Sequence, residues 1–219
     1  MKQARRPNLE PGVIVEAALD VLDEVGLDEL SMRRLAEALG VQNPALYWHV
    51  RNKQELLDRM AQVVLIEGLA AAEAATPAPR TWKKKVERFA HGLRGAMHSR
   101  RDGARLIAVA NLAQPGGALL HRMDALVAAL IAEGLPPLDA LKGVLAVIHY
   151  TLGATFEEQS DPRPGDPAMH VDASLPTLTA LAEFTDTSEL SRVDARFEFG
   201  VQLIVEGLRS RLRVRRRAR

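Results

Sequence analysis

The 219-residue sequence has no cysteine and only 4% aromatic residues, and these shortages exclude several classes of protein. Without cysteine, neither a disulfide framework nor a thiolate metal site can form, which is consistent with a reducing cytosol. No apolar run approaches the ~20 residues that span a bilayer, and the N-terminus is polar rather than signal-like. Hydrophobic residues make up 47% of the chain, which is enough for a buried core. We therefore expect a cytoplasmic protein with no membrane partner.

Patterns typical of β-strands and of common enzymes are also missing. There is no sustained alternation of apolar and polar residues and no Asn-Gly hairpin turn. A glycine-rich phosphate loop, a His-Glu-x-x-His zinc pair and a nucleophile elbow are absent as well. Glu157 and Glu158 are paired carboxylates, but adjacent helical side chains point about 100° apart and do not converge on one substrate. These observations predict an all-α protein that is not an enzyme and uses no cofactor or metal.

The formal net charge is only +1, so a globally basic surface cannot account for binding to nucleic acid. Residues 1–60 contain eight Lys and Arg against ten Asp and Glu, a difference of −2. The acids cluster in the first predicted helix, whereas the bases lie around the segment 31–53. Any nucleic-acid binding must therefore depend on this local placement of charge.

The segment 31–53, SMRRLAEALGVQNPALYWHVRNK, has the pattern of two short helices joined by a tight turn. Ser31 is suited to cap the first helix, and Gly40 ends it. Pro44 suits the first turn of the second helix, where its missing N–H is no loss. A helix of about four residues cannot be stable alone, so its neighbours must hold it, and its outer face remains available for a partner. The pattern predicts a helix-turn-helix recognition element.

Helical periodicity continues on both sides of this element. An amphipathic helix is predicted before it, and a longer connector helix, capped by Asn52, is predicted over about 52–75. Further helices are expected at 82–98, 102–112, 118–133, 138–158 and 193–212. The helix at 138–158 is apolar around most of its circumference and is expected to be buried on both sides. We expect a three-helix DNA-binding domain at 1–60 and a larger helical effector-binding and dimerisation domain at 61–219.

Two runs, GLDELSMRRLAEALGV and PALYWHVRNKQELLDRM, resemble the N-terminal head of the TetR family of transcriptional repressors. A weaker resemblance, to the tetracycline-repressor-like C-terminal domain, lies in three segments: Ser99–Arg105, His149–Gly153 and Phe156–Gln159. The resemblance implies an all-helical homodimer that binds a palindromic DNA operator through its heads. It also implies that the operator is released when a small-molecule effector enters the C-terminal domain. The helices at 138–158 and 193–212 are expected to form a four-helix bundle across the two-fold axis.

The resemblance assigns two kinds of DNA contact to the head. The residues expected to read bases are Arg33, Asn43, Pro44 and Ala45. The residues expected to bind phosphates are Ser31, Tyr47, Trp48, His49 and Lys53. Arginine bonds well to guanine and asparagine to adenine in the major groove, whereas phosphate contacts fix register without reading sequence. Asn43 and Ala45 replace a glutamine and a threonine of the tetracycline-responsive relatives, which predicts a different operator. Leu46 is expected to be a core residue.

The resemblance weakens in the effector domain. Glu157 keeps a position that helps to hold magnesium–tetracycline in the subgroup, but Ile107 occupies the position of a metal-binding histidine. Isoleucine cannot ligate a metal, so tetracycline is not the expected effector. A small apolar or amphipathic molecule is expected instead. The proposed contacts are Phe89, Leu93, Ile107, Asn111, His149, Tyr150, Phe156 and Glu157. The alternative for most of these is ordinary helical core.

The C-terminal tail suggests another hypothesis. Seven arginines lie between Arg209 and Arg219, and such a run attracts any polyanion. The chain would then be a nonspecific nucleic-acid-binding protein driven by this tail. Competition with unrelated DNA separates the two hypotheses, because competitor DNA of any sequence would displace a tail-driven protein from its target equally well.

Overall fold

The computed structural model describes residues 10–112, 117–160, 174–177, 179–180 and 193–217, with side chains as far as residue 212. Nine helices are assigned within these described ranges, which contain no strand. They are α1 (Pro11–Val25), α2 (Met32–Ala38), α3 (Asn43–Leu46), α4 (Lys53–Ala75), α5 (Trp82–His98), α6 (Gly103–Val109), α7 (Ala118–Ala132), α8 (Pro137–Ser160) and α9 (Val193–Arg217). The all-α prediction, with a small N-terminal head and a larger helical body, is confirmed.

Helices α1 to α3 form the head around a small apolar core. Helix α1 begins at Pro11 and is terminated after Val25 by Gly26, whose φ of 80° suits glycine and whose N–H donates to the Leu22 carbonyl at 2.8 Å. Each fully buried aliphatic side chain stabilises the head by about 1.5–3 kcal/mol. The largest fully buried side chains of the head and of the N-terminal half of α4, which packs against it, are Ile14, Leu19, Leu22, Leu30, Leu35, Leu46, Leu56 and Met60.

Helix α4 belongs to both the head and the body. The predicted cap is present, because Asn52 Oδ1 accepts from the Glu55 N–H at 2.9 Å. In a capping box the third residue of the helix, here Glu55, accepts in return from the N–H of the cap residue. Here Glu55 accepts from the N–H of Arg51 instead, one residue before Asn52. Helix α4 packs on α1 in the head and on α5, α6 and α7 in the body. A change in the packing of the body around α4 therefore reaches the head directly.

Helices α4 and α5 cross at very short range. A Cβ added to Gly68 would lie 2.4 Å from the Cα of Ala96, and one added to Gly92 would lie 3.0 Å from the Cβ of Ala72. Only glycine at these positions allows the two backbones to approach so closely. The crossing fixes the connector helix on the body.

Helices α8 and α9 pack together on the far side of the body. Val144 and Val147 of α8 are buried, but Leu138, Leu141 and Phe156 of the same helix are exposed. Within one chain, the prediction that 138–158 is buried on both sides is therefore wrong, because the neighbouring helices α5, α6, α7 and α9 cover one side only. In the part of the chain with assigned structure, no helix is long and apolar enough to cross a membrane.

Candidate nucleic-acid interface and ligand site

The turn between α2 and α3 sets the position of the short recognition helix. Gly40 has a φ of 64°, and the N–H of Val41 donates to the Ala36 carbonyl at 3.0 Å, which closes the end of α2. Leu46 is fully buried and anchors α3 in the head, as the core interpretation of this residue predicted. The outer face of α3 is left open to solvent.

The residues predicted to contact DNA come from the N-terminal ends of α2, α3 and α4 and from the turn after α3. Each of the nine retains exposed surface: Ser31, Arg33, Asn43, Pro44, Ala45, Tyr47, Trp48, His49 and Lys53. Trp48 is 88% exposed, although the nearby Leu46 and Val50 are fully buried. Exposure of so large an apolar side chain to water is unfavourable in free energy. Such exposure is typical of a side chain that contacts a binding partner.

Three of these side chains have partners or positions that bear on DNA contact. Ser31 Oγ caps α2 by accepting from the Arg34 N–H at 3.3 Å. Arg33 lies 3.5 Å from Glu37, but its side chain is 81% exposed, so this pair holds it weakly. Asn43 Oδ1 is buried and has no hydrogen-bond partner among the residues that the structure describes.

Charge is divided sharply along the sequence of the head. Residues 31–53 contain four Lys and Arg and one Glu, a net +3, whereas residues 10–30 contain seven Asp and Glu and no Lys or Arg. The two segments touch where Arg34 binds Glu29 at 2.9 Å. A phosphate backbone is attracted to the segment 31–53 and repelled by the segment 10–30.

Several of the acidic residues and turn atoms face the body, where they form what we call the head–body contact. The Asp102 carboxylate accepts from the Leu27 N–H at 2.8 Å, and Asp23 accepts from the Arg101 N–H at 2.8 Å. Arg105 binds Asp28 through two nitrogens, at 2.6 and 3.1 Å, and its guanidinium lowers the pKa of Asp28. Asp102 adopts a left-handed φ of 55°, which aspartate tolerates better than most residues. The head is thus bonded to the start of α6 as well as to α4.

A cavity of about 380 Å³ lies between α4, α5 and α7. Its lining residues are Leu69, Ala72, Glu73, Ala78, Pro79, Lys85, Arg88, Phe89, Arg122, Ala125 and Leu126. Arg122 binds Glu73 through two nitrogens, at 3.0 and 3.3 Å, and so joins α7 to α4. The volume lies within the ~300–1,000 Å³ typical of small-molecule sites.

The structure does not gather the eight predicted effector contacts into one cavity. Phe89 lines the cavity just described, whereas Leu93 and Ile107 are buried in the core. Asn111 is exposed near the N-terminal half of α4, where its N–H donates to Asp58 at 2.8 Å. Phe156 is exposed on α8.

The other three predicted contacts, His149, Tyr150 and Glu157, line a depression of about 400 Å³ between α8 and α9. Tyr150 is engaged there in holding the two helices together. Its hydroxyl donates towards the Arg196 carbonyl at 3.0 Å, its ring stacks on Phe197, and burial raises the pKa of the phenol. The tyrosine is therefore part of the packing within the chain.

Sequence reasoning missed the charged residues of the α4–α5–α7 cavity and the role of Gln159. The side-chain amide of Gln159 donates to the Met97 carbonyl at 3.0 Å and accepts from the Ala104 N–H at 2.9 Å. It therefore joins the last turn of α8 to the end of α5 and the start of α6. Lys85, Arg88 and Phe89 are spaced at i, i+3 and i+4 and therefore share one face of α5. This spacing was the signal in the sequence that could have indicated the face of α5 that lines the cavity.

Both parts of the chain match known families. Residues 14–60 match bacterial regulatory proteins of the tetR family, and residues 76–212 match the tetracyclin repressor-like C-terminal domain. The chain belongs to the TetR family. It is a helix-turn-helix, DNA-binding regulator of transcription. The tetracycline repressor protein class A from transposon 1721 of Escherichia coli is 37% identical to it over 93% of this chain and 92% of the repressor.

Solved structures of TetR-family proteins share the fold. A possible TetR family transcriptional regulator from Streptomyces coelicolor A3(2) has a TM-score of 0.77 at 36% identity, covering 92% of this chain and 99% of that one. A single-substitution variant of TetR from Acinetobacter baumannii AYE, in complex with minocycline, has a TM-score of 0.71 at 33% identity, covering 93% and 99%. BioQ with its natural double-stranded DNA operator has a TM-score of 0.67 at 31% identity, covering 92% and 98%.

In this TetR-family chain, the expected metal-binding position lies in the core. Ile107 is only 5% exposed, and its side chain offers no donor atom. Among the residues with assigned positions, no three His, Asp or Glu side chains come together in a way that could hold a metal ion.

Proposed function

We propose that this TetR-family regulator is a homodimeric repressor that binds a palindromic operator and is released by a small apolar or amphipathic molecule. The observation that carries the proposal is the exposed helix-turn-helix surface, where Trp48 stands in solvent on a segment of net charge +3. Such a surface suits the major groove and its phosphates. The operator bound to BioQ and the minocycline bound to the Acinetobacter baumannii TetR variant support the two kinds of partner.

Different residues of the head have different roles in this proposal. Arg33 reads a guanine, and Asn43 reads an adenine after its side chain rotates. Tyr47, Trp48 and Lys53 bind the phosphate backbone and fix the register of the head. The acidic segment 10–30, which bonds to the body through Asp23 and Asp28, stays away from the DNA.

The exposed apolar surface of α8 and α9 supports a homodimer. Phe199 and Leu203 of α9 are 63% and 59% exposed, and Phe156 of α8 is 44% exposed. Large apolar side chains exposed together on two adjacent helices mark an interface. A Cβ added to Gly143 would lie 2.6 Å from Leu208 of the same chain, whereas one added to Gly207 would meet no heavy atom of the described residues within 4 Å. This part of α9 is therefore open to a second copy. An antiparallel pair of α8 and α9 from each chain would complete a four-helix bundle.

Selection of bound sites from random DNA tests operator binding. We expect an enriched palindrome whose half-sites lie about one helical turn, ~34–36 Å, apart. Arg33→Ala should relax the preference at one base pair of each half-site and weaken binding by about 1–3 kcal/mol. Lys53→Ala should weaken binding to all DNA sequences. It should also reduce by about one the slope of the logarithm of the binding constant against the logarithm of the salt concentration. The exposed Lys84 of the body provides the control, because Lys84→Ala should change neither.

Three outcomes would contradict parts of the proposal. Equal loss of binding to every competitor DNA, with no enriched sequence, would favour nonspecific binding by the arginine tail, whose side chains beyond Leu212 lie outside the described residues. Sedimentation of the protein as a monomer, unchanged by Phe199→Glu, would exclude the homodimer. Identical operator occupancy in the presence of every small molecule that binds the body would exclude ligand release.

A further inference from the structure

The cavity between α4, α5 and α7 has an apolar interior and a charged rim. Leu69, Phe89 and Leu126 contribute apolar surface, and Phe89 and Leu126 are buried on either side of it. The charged lining residues are Lys85, Arg88, Arg122 and Glu73. A site with one apolar region and one charged region selects an amphipathic ligand rather than a purely apolar one.

The charge of the rim is positive. Three cations and one carboxylate give a net charge of +2, and the carboxylate, Glu73, is already bound by Arg122. Lys85 and Arg88 have no carboxylate partner among the residues that the structure describes. The neighbouring Lys84, by contrast, points away from the cavity and binds Glu87 at 2.6 Å. Two unpaired cations therefore stand at the mouth of an apolar cavity.

We infer that this cavity binds an amphipathic carboxylate, with its apolar body against Leu69, Phe89 and Leu126 and its carboxylate at Lys85 and Arg88. The inference deepens the proposed function and rests on it, because it names the chemical class of the releasing molecule. A carboxylate in this position is also a second acceptor for Arg122, which now joins α7 to Glu73 of α4. Binding would thus change a bond to the connector helix itself.

Matched probes test the charge preference. Naphthylacetate and decanoate are titrated into the full-length protein by calorimetry, each beside its neutral primary amide, which keeps the apolar body and removes the charge. We expect each carboxylate to bind about tenfold or more tightly than its amide, since charge-assisted bonds are the stronger ones. The double variant Lys85→Gln/Arg88→Gln should lose this preference and leave amide binding within about threefold. Lys84→Gln is the control and should bind both probes like the original protein.

A second variant locates the site. Ala125→Phe places a ring in the cavity from the exposed side of α7 and should abolish binding of both the carboxylate and the amide. Thermal melts of all variants show whether they are folded, and the exposure of Lys85 and Ala125 makes folding the expected result.

The results separate this inference from the proposed function, because operator binding is measured on the same preparations. Equal binding of carboxylate and amide, binding of neither, or loss of preference in Lys84→Gln would overturn the inference while selective operator binding stands. Conversely, a carboxylate preference that depends on Lys85 and Arg88, without selective operator binding, would support the site and refute the repressor.

Discussion

Replacing Gly68 by alanine tests the closest approach between the connector helix and the body. The added Cβ would lie 2.4 Å from both the Cα and the Cβ of Ala96 and 2.9 Å from its nitrogen. These are backbone atoms or are fixed directly to the backbone, so no side-chain rotation relieves the overlap. The helices α4 and α5 must move apart for the substitution to be accommodated.

Two opposing effects set the magnitude. Overpacking a core typically costs about 1–3 kcal/mol, and here the contact with backbone places it at the upper end. Alanine is intrinsically favoured over glycine within a helix by about 0.8–1.0 kcal/mol, which offsets part of that cost. The net expectation for Gly68→Ala is a loss of roughly 1–2 kcal/mol, or a melting temperature lower by roughly 2–8 °C.

Gly95 provides the matched control on the opposite helix. A Cβ added there meets no heavy atom of the described residues within 4 Å, so Gly95→Ala should stabilise the protein by up to about 1 kcal/mol. Urea unfolding and calorimetry compare the two variants, and operator affinity reports whether moving α4 also moves the head. If Gly68→Ala were as stable as Gly95→Ala, the two backbones would not be in contact and the fixed crossing would be wrong.

Two further substitutions test the cap of α4 and the head–body contact. The Arg51 N–H and the side chains of Arg51 and Arg59 bond to Glu55 and lower its pKa to about 2. The stabilisation from the Glu55 carboxylate is therefore complete above its ordinary pKa of 4.5 and is lost as the pH falls from 4.5 towards 2. Glu55→Gln should therefore cost about 1 kcal/mol at pH 7 and flatten the fall in melting temperature between pH 5 and pH 3; an unchanged pH profile would contradict this account of the cap. Asp102→Ala removes the acceptor of the Leu27 N–H and places alanine at a left-handed φ, so it should destabilise by about 2 kcal/mol in urea unfolding. Asp102→Asn keeps an acceptor and tolerates that φ, so equal losses in the two variants would exclude the bond as the cause.

Helix boundaries in the head could be predicted because their causes are local. Ser31, Gly40 and Asn52 begin or end helices through bonds that reach no further than five residues along the chain. The family motifs cover the same segment, and the resemblance assigns individual DNA contacts there, which stay predictions. The orientation of Asn43, whose amide oxygen is buried, could not be predicted from residue type and spacing.

The ligand site could not be predicted in the same way. Helical periodicity gives the face on which a residue lies, but not which helix stands opposite that face. Phe89 and His149 share apolar helical patterns, yet they line different cavities because α7 faces the first and α9 the second. Lys85 and Arg88 have the appearance of an ordinary solvated face, and only the packing of α4 and α7 against α5 shows that they line a cavity. The bond from Leu27 to Asp102 joins residues 75 positions apart, and no local rule pairs them.

The two connections between head and body restrict how a ligand can act in the proposed repressor. The cavity contacts α4 at Leu69, Ala72 and Glu73, about 24 Å along the helix from its start at Lys53. A tilt of about 5° at the cavity would move the head by about 2 Å, enough to disturb heads that must match successive major grooves.

The head, however, is also bonded to the start of α6 through Asp102 and Arg105. A tilt of α4 alone would stretch those bonds, so α6 must move with the head or the contact must break. Gln159 joins the start of α6 to the end of α8, the helix that presents the exposed apolar surface. If α6 moves with the head, the motion would therefore be transmitted through α8 towards the second protomer. Hydrogen exchange at the Leu27 amide distinguishes the two: its protection persists if α6 moves with the head and is lost if the contact breaks.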